Sequence, residues 1–462
     1  MSRGTFYSHN KVGETMSFKT NASSTTTFDP RVEFTTGSDR VSWDMGDGSE
    51  YQAGNSITYV YSDTGSTKTV TLRTNKLRRL RAIDGEQENI VGNLDLSGWV
   101  NLENASSDVN NYNQFGQNTQ MTGITNPNSA VNGKILTHYN IFNSDITGVL
   151  VLTGLTLGGY FDVSLNGNLT TILHGPSNQV FDNRYNAYNC DLTGNLDLSM
   201  LTGLGGDFNV RNNSGLTGIT HTASTEVFTT YDANNCGLTG NLDLSMLTGL
   251  GGNFYVYIIN SLTSITHTAS TQVFVNYKSH ECNLTGTLDL SMFPNFGGDF
   301  RIYSNSALTN ITHTVSTQTF NRYWAHNCGL SGTIDLSMLT GLGGEFRIYD
   351  NTTLENITHP ISTGNFSEYY GYGCILSSID FFPLSGATMS DIQLWDNGMT
   401  STEVNTILWD FYELNYLYGQ VGWSACTLDI GGTNAAPTLG PPDGITAKNR
   451  LINDYGWTIT SS

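Results

Sequence analysis

The chain has 462 residues, of which only 13% are charged, and it carries 20 basic against 40 acidic side chains. A net charge of −20 excludes nucleic acid as a partner, because phosphate binding needs an excess of Lys and Arg to release counterions, and it disfavours an anionic membrane surface. Aromatic content of 11%, with 23 Tyr and 7 Trp, excludes wholesale disorder.

In chain order, residues 1–13 read as an arm, without the apolar core and small-residue cleavage site of a secretory signal. The longest apolar run, Val149-Leu150-Val151-Leu152, is far below the ~18 residues of a membrane span. Synthesis in the cytoplasm, with no membrane insertion, is therefore expected.

Residues 14–75 form the next segment. Trp43-Asp44-Met45-Gly46-Asp47-Gly48-Ser49 is followed by Tyr59-Val60-Tyr61, Gly65 and Val70-Thr71-Leu72. This pattern resembles the polycystic-kidney-disease (PKD) β-sandwich module, which implies a small sandwich over about 60 residues. Asp47-Gly48 is itself a strong turn signal between alternating segments. Asp44 and Asp47 are expected to cap their own turn. A calcium loop would need a longer ligand series closed by Glu.

Residues 76–400 are repetitive. Cys190, Cys236, Cys282, Cys328 and Cys374 stand 46 residues apart, and the text beginning at Asn189 recurs at Asn235, Glu281 and Asn327. Each unit splits into two coils of 23. One reads Phe228-x-x-Tyr231-x-Ala233-x-x-Cys236-x-Leu238-Thr239-Gly240, and the other contains Phe208-x-Val210-x-x-Asn213 and Leu216-Thr217-Gly218-Ile219. This resembles the leucine-rich repeat, with the Leu-Thr-Gly continuation of plant-type members. Departures are the Phe, Tyr or Ala at strand positions and Ile259 where the ladder expects Asn. The resemblance implies a mainly β solenoid of about 14 coils of ~23 residues. The physics agrees, since one coil cannot bury its own apolar face and must stack on others.

Stacking at about 4.8 Å per coil puts residues two coils apart at about 9.6 Å. That exceeds the ~7 Å reach of a disulfide, so the five cysteines are expected as buried thiols. His221, His267, His313 and His359, with His174 similar, recur at the same interval. They are too far apart to share one zinc and are expected as turn histidines bonded to local backbone. Asp197, Asp243, Asp289 and Asp335 read as a solvated acidic row. The Gly-Leu-Gly-Gly turns lack the Gly-Lys-Ser/Thr of a phosphate loop. Everything polar is serial, whereas an active site is singular, so no enzyme activity, metal or cofactor is expected.

The informative positions are those that vary between otherwise similar coils. Outward strand residues form a row Tyr257, His280, Tyr303, His326, Tyr349, Tyr372 and Trp395, and a neighbouring row Tyr255, Lys278, Arg301, Trp324, Arg347, Tyr370 and Gln393. Earlier coils carry Asn209, Arg211, Asp232 and Asn234 instead. The rings and arginines, Tyr255, Tyr257, His280, Arg301, Tyr303, Trp324, His326, Arg347, Tyr349, Tyr370, Tyr372 and Trp395, are the candidate ligand-binding residues on the concave face. They suit a sugar or a protein hot spot; stacking that merely stabilises the sheet is the alternative.

Residues 401–462 read as a small α/β cap, with a capping box at Thr400–Glu403, a helix through Val404, Ile407, Leu408, Phe411 and Leu414, a strand at 426–430 and a helix at about 445–455 ended by Gly456. Cys426 has no assigned role. Sandwich plus solenoid resembles surface-recognition proteins of bacteria and phages. That resemblance implies a virion or injection-particle component, docked to other particle proteins through residues 1–75 and binding a host surface glycan or protein. A cell-surface adhesin and a purely structural virion protein are the alternatives, and a homo-oligomer is compatible with each. Residues 1–90 carry 11 basic and 11 acidic side chains, including Arg73, Lys76, Arg78, Arg79 and Arg81, against 9 and 29 in residues 91–462.

Overall fold

The computed structural model describes the backbone of residues 14–20, 27–28, 31–34, 41–53, 59–60, 67–74, 77–81, 90–95 and 121–125, and of 136–462 except 154, 156, 176–179, 295, 317, 378 and 419–424. The arm expected over 1–13, most of the coils expected between 76 and 135, and the side chains of the basic cluster at 73–81 lie outside the described residues. The chain is mainly β and divides into two compact units, Met1–Gly206 and Asp207–Ser462. It forms a β-solenoid of about 11 turns of ~23 residues.

In the first unit, Glu14–Thr20 pairs antiparallel with Lys68–Thr74 and with Ile90–Asp95, and Val41–Asp44 pairs antiparallel with Lys68–Thr74 and Glu50–Ala53. Trp43 and Met45 are fully buried. The two aspartates cap the turn between paired strands as expected: Asp44 Oδ1 accepts from Gly46 N and Asp47 Oδ1 from Ser49 N, each at 3.0 Å. Gly46 has φ +75°, and a Cβ there would run into the Thr69 carbonyl oxygen, so only glycine fits. Solenoid turns follow, with Leu136–Asn140, Leu157–Asp162 and Val180–Asn186 paired in parallel.

In the second unit a parallel sheet runs through Phe228–Asp232, Gly252–Tyr255, Phe274–Lys278, Phe296–Arg301, Phe320–Trp324, Gly344–Arg347, Asn365–Tyr370, Asp391–Gln393, Thr427–Ile430 and Thr458–Ser461. Short parallel pairs such as Thr285–Asp289 with Ala307–Thr312 form a second face of the coils. Alternation makes the sheet two-sided. Phe208, Tyr231, Phe254, Tyr277, Phe300, Tyr323, Phe346 and Tyr369 point inward and are wholly buried.

Beyond each sheet strand the chain turns at a left-handed residue: Asn212, Asn235, Ile258, Glu281, Ser304, Asn327, Asp350 and Asp396 all have φ between +51° and +58°. The next residue is the inward rung. Where it is asparagine it ties neighbouring coils together: Asn351 Nδ2 donates to Ala325 O at 2.9 Å and Ile348 O at 2.6 Å, and its Oδ1 accepts from Cys328 N at 3.2 Å. Where it is cysteine the thiol is buried and unbridged, as the stacking distance requires. The Cys236 and Cys328 thiols donate to the carbonyls of Val210 and Ile302 at 3.2 and 3.3 Å, and burial pushes both thiols up to about 12.

The recurrent histidines correct an expectation. They are not held chiefly by turn backbone. His174, His221, His267, His313 and His359 each place Nε2 2.8–2.9 Å from the hydroxyl of Tyr185, Tyr231, Tyr277, Tyr323 or Tyr369. The Nδ1 atoms of His221, His267 and His313 are buried without a partner, whereas His359 Nδ1 also meets the Asp380 carbonyl at 2.9 Å. The reason is the buried phenol, which needs a partner inside an apolar core. Asp197, Asp243, Asp289 and Asp335 each cap their own turn, accepting from the backbone N–H of Ser199, Ser245, Ser291 or Ser337 at 2.9 Å.

The solenoid of this unit is closed by helices Ser401–Tyr418 and Gly444–Tyr455. The capping box is present, with Thr400 N donating to Glu403 Oε2 at 2.7 Å. Phe411 covers Phe381 and Trp457 at centroid distances of 4.6 and 5.3 Å. Cys426 is fully buried at the start of Thr427–Ile430. Among the described residues no helix is long and apolar enough to cross a membrane.

Candidate recognition surface

All twelve candidate residues lie on the outward face of the second unit's sheet, because strand alternation sends them opposite to the Phe and Tyr of the core. The first row is an unbroken stack. Tyr257, His280, Tyr303, His326, Tyr349, Tyr372 and Trp395 follow one another at centroid distances of 4.6, 4.4, 4.7, 4.3, 4.5 and 4.2 Å, with interplanar angles from 4° to 19°. Near-parallel rings at these distances are offset by roughly 2.5 Å, which the aromatic quadrupole favours over direct superposition. Each inner ring therefore spends both faces on its neighbours and turns only its edge to solvent.

The two imidazoles are the most enclosed members, 7% and 9% exposed for His280 and His326. Burial lowers both to about 4, assisted at His326 by Arg347 and opposed at His280 by Glu281, whose carboxylate is 3.4 Å from Nδ1. The stack is accordingly neutral near pH 7. Burial also raises Tyr257, Tyr303 and Tyr349, and lifts Tyr372 to about 12.

The second row is built around Trp324. The guanidinium groups of Arg301 and Arg347 lie 4.5 and 4.4 Å from its ring centroid, and Arg347 also approaches Tyr370 at 5.7 Å. Lys278 lies 4.9 Å over Tyr255; burial, then Arg301, lowers its ammonium. The Tyr370 hydroxyl donates to Asp391 at 2.7 Å.

A third row was missed from sequence. Asp299, Arg322, Glu345, Glu368 and Asp391 recur at 23-residue spacing and pair with the second row. Asp299 takes Arg301 and Arg322 at 3.0 and 3.1 Å, Glu345 takes Arg322 and Arg347 at 3.3 and 3.4 Å, and Glu368 takes Arg347 at 2.6 Å. The spacing that revealed the ring rows also marks this one, two residues earlier in each strand. Its consequence is chemical: the arginines are committed to carboxylates and do not form an open anion site. The Nε1–H of Trp324 and the Nε–H of Arg301 are buried without an acceptor.

A separate cavity of about 590 Å³ lies in the same unit beside the long helix, lined among others by His359, Asp380, Glu403, Thr406 and Asp410. Burial raises Asp410 to about 7, with Asp380 and Glu413 adding to it. Glu403 is occupied by the helix cap, and Asp380 accepts from Phe382 N at 2.9 Å. Among the described residues no three His, Cys, Asp or Glu side chains converge as metal ligands.

Comparison of the chain with protein-family models, with curated proteins and with solved structures found no match.

Proposed function

We propose that the chain is a non-enzymatic recognition protein that contacts a host surface glycan or protein through the outward sheet face of residues 255–395. The observation that carries this reading is the restriction of change. Coil interiors repeat Phe, Tyr, His, Cys and Asn at fixed positions, while the outward face varies from coil to coil and gathers Trp and Arg beside further Tyr, the residues that dominate binding hot spots. The repeat text supports reading the solenoid as leucine-rich-repeat in type, with about 14 coils. The Trp43–Ser49 text supports a PKD-like module at its N-terminal side. In this reading residues 1–75 dock to a virion or injection particle.

Ring stacking favours one second reading, a purely structural role in which the ladder stiffens the sheet. The triple variant Tyr303→Ala, Tyr349→Ala, Trp395→Ala separates the two. A folded variant that loses at least tenfold in host-cell binding supports recognition. Unchanged binding with a lowered unfolding midpoint leaves the structural role. Co-sedimentation with purified particles tests the docking assignment; recovery only with cell envelopes would make the protein a cell-surface adhesin instead.

A further inference from the structure

The outward ring stack has two ends, and they differ. At the Tyr257 end the preceding coil supplies Asn234 at the same register, so the rung is filled. At the other end Gln393 pairs with Asp429 and Asp429 with Thr460, which places Gly431 next to Trp395 and Ser462 beyond it. Asp396 N donates to Gly431 O at 3.3 Å, in keeping with that register. The rung after Trp395 therefore carries no side chain. Gly431 is buried and forms its floor. A Cβ built there would meet nothing nearer than Asp429 Oδ1 at 3.3 Å and the Ser461 backbone at 3.6 Å, with no positive φ to forbid it.

We propose that this rung is a binding site for one neutral pyranose ring, stacked on the outer face of the Trp395 indole. The proposal rests on the recognition reading above and narrows it from a whole face to one end of the ladder. Every ring from His280 to Tyr372 has both faces covered, so within this row the C–H face of a sugar is offered the terminal indole. Two strand spacings, about 9.6 Å, separate the Trp395 and Ser462 backbones, and subtracting one contact distance leaves roughly 6 Å, enough for a single saturated ring. Hydrogen-bonding groups border the slot. Asp429 uses Oδ1 on Gly431 N at 3.0 Å, Gln393 uses Nε2 on Asp391 at 3.2 Å, and Ser462 Oγ donates to Gly432 O at 2.9 Å. The remaining carboxylate oxygen, the amide oxygen and the hydroxyl lone pairs are acceptors suited to sugar hydroxyls. Asp396, which accepts from Thr433 N, and Asp429, which accepts from Gly431 N, flank the slot with negative charge, which selects against sialic or uronic acids.

The test uses full-length protein labelled with 5-fluorotryptophan, with the Trp395 resonance assigned through Trp395→Phe. The probes are the methyl glycosides of glucose, galactose, mannose and N-acetylglucosamine, and of N-acetylneuraminic acid. We expect at least one neutral glycoside to shift the Trp395 resonance at millimolar concentration and the acidic one to leave it in place. Gly431→Tyr, which fills the rung, should weaken that binding at least tenfold without lowering the unfolding midpoint. No shift with any neutral probe, an equal shift with the acidic one, or full binding by folded Gly431→Tyr would overturn the site. Host-cell binding of Gly431→Tyr, measured beside the triple ring variant, keeps the two readings apart. If Gly431→Tyr binds cells as wild type while the triple variant does not, the sugar rung fails and the recognition face stands. If neither loses cell binding, the recognition reading fails as well.

Discussion

The second unit carries two aromatic ladders on opposite faces of one sheet, repeating at the same 23-residue interval, and they pack differently. Inside, Phe208, Tyr231, Phe254, Tyr277, Phe300, Tyr323, Phe346 and Tyr369 lie 4.8–5.8 Å apart with interplanar angles of 22–47°. Outside, Tyr257 to Trp395 lie 4.2–4.7 Å apart within 4–19° of parallel. Each inner ring also touches a histidine, a second phenylalanine or both off its row, as Phe208 does His221 and Phe346 does Phe366, so it tilts to fill volume. An outer ring meets the adjacent row only at longer range, as in Tyr303–Trp324 at 6.1 Å and Tyr370–Tyr372 at 6.4 Å, so it stacks along its own row.

The comparison is most exposed to acid. Burial holds His221, His313 and His359 near 4 and His267 near 3 inside, and His280 and His326 near 4 outside. Each folded value is below the unfolded ~6.5, so the unfolded chain takes up more protons and stability falls as pH drops from about 6.5 toward 4. Each histidine contributes a slope of about 1.4 kcal/mol per pH unit in that window. Cooperative acid unfolding above pH 4, followed by circular dichroism, is expected. His280→Phe with His326→Phe should shallow the slope by about a third; an unchanged slope would mean that the outer imidazoles are hydrated and the stack looser than its geometry.

Truncation comes next in size. Tyr323→Ala removes a wholly buried ring and should cost about 3–5 kcal/mol, whereas Tyr303→Ala removes a half-buried one and should cost about 1 kcal/mol. Equal losses in urea denaturation would erase the distinction between the ladders. Tyr323→Phe isolates the hydrogen bond. His313 Nδ1 has no partner, so losing the 2.9 Å contact at Nε2 leaves the imidazole wholly unpaired, for about 1–3 kcal/mol. The smallest effect should be a gain. Ile258 is a β-branched residue at φ +57° and is 42% exposed, while most of the equivalent turns of the second unit use Asn, Asp, Ser or Glu, and one uses Gly373. Ile258→Asn should stabilise by about 1 kcal/mol, read as a raised unfolding midpoint.

The outer ring row was legible because it varies against a fixed 23-residue background, and so were the buried thiols, because coil spacing rules out bridging. The histidine partners were not. Tyr231 and His221 stand ten residues apart across a turn, a separation with no helical or strand periodicity to suggest contact. The carboxylate row Asp299, Glu345, Glu368 and Asp391 shares the spacing of the rings but is interrupted by Arg322 and preceded by the neutral Asn253 and Asn276. Only its proximity to the arginines reveals that the cations are already paired.

The sequence by itself determined the repeat length, the two-sided strands, the ladder of Asn and Cys rungs and the aromatic character of one outward row. These follow from periodicity, and periodicity is local. The tertiary structure decided what each side chain meets: His against Tyr in the core, ring face against ring face outside, arginine between tryptophan and carboxylate, and a bare rung at Gly431. Those outcomes depend on distances between coils of about 4–6 Å and on which way each side chain leans, and neither is written in residue order.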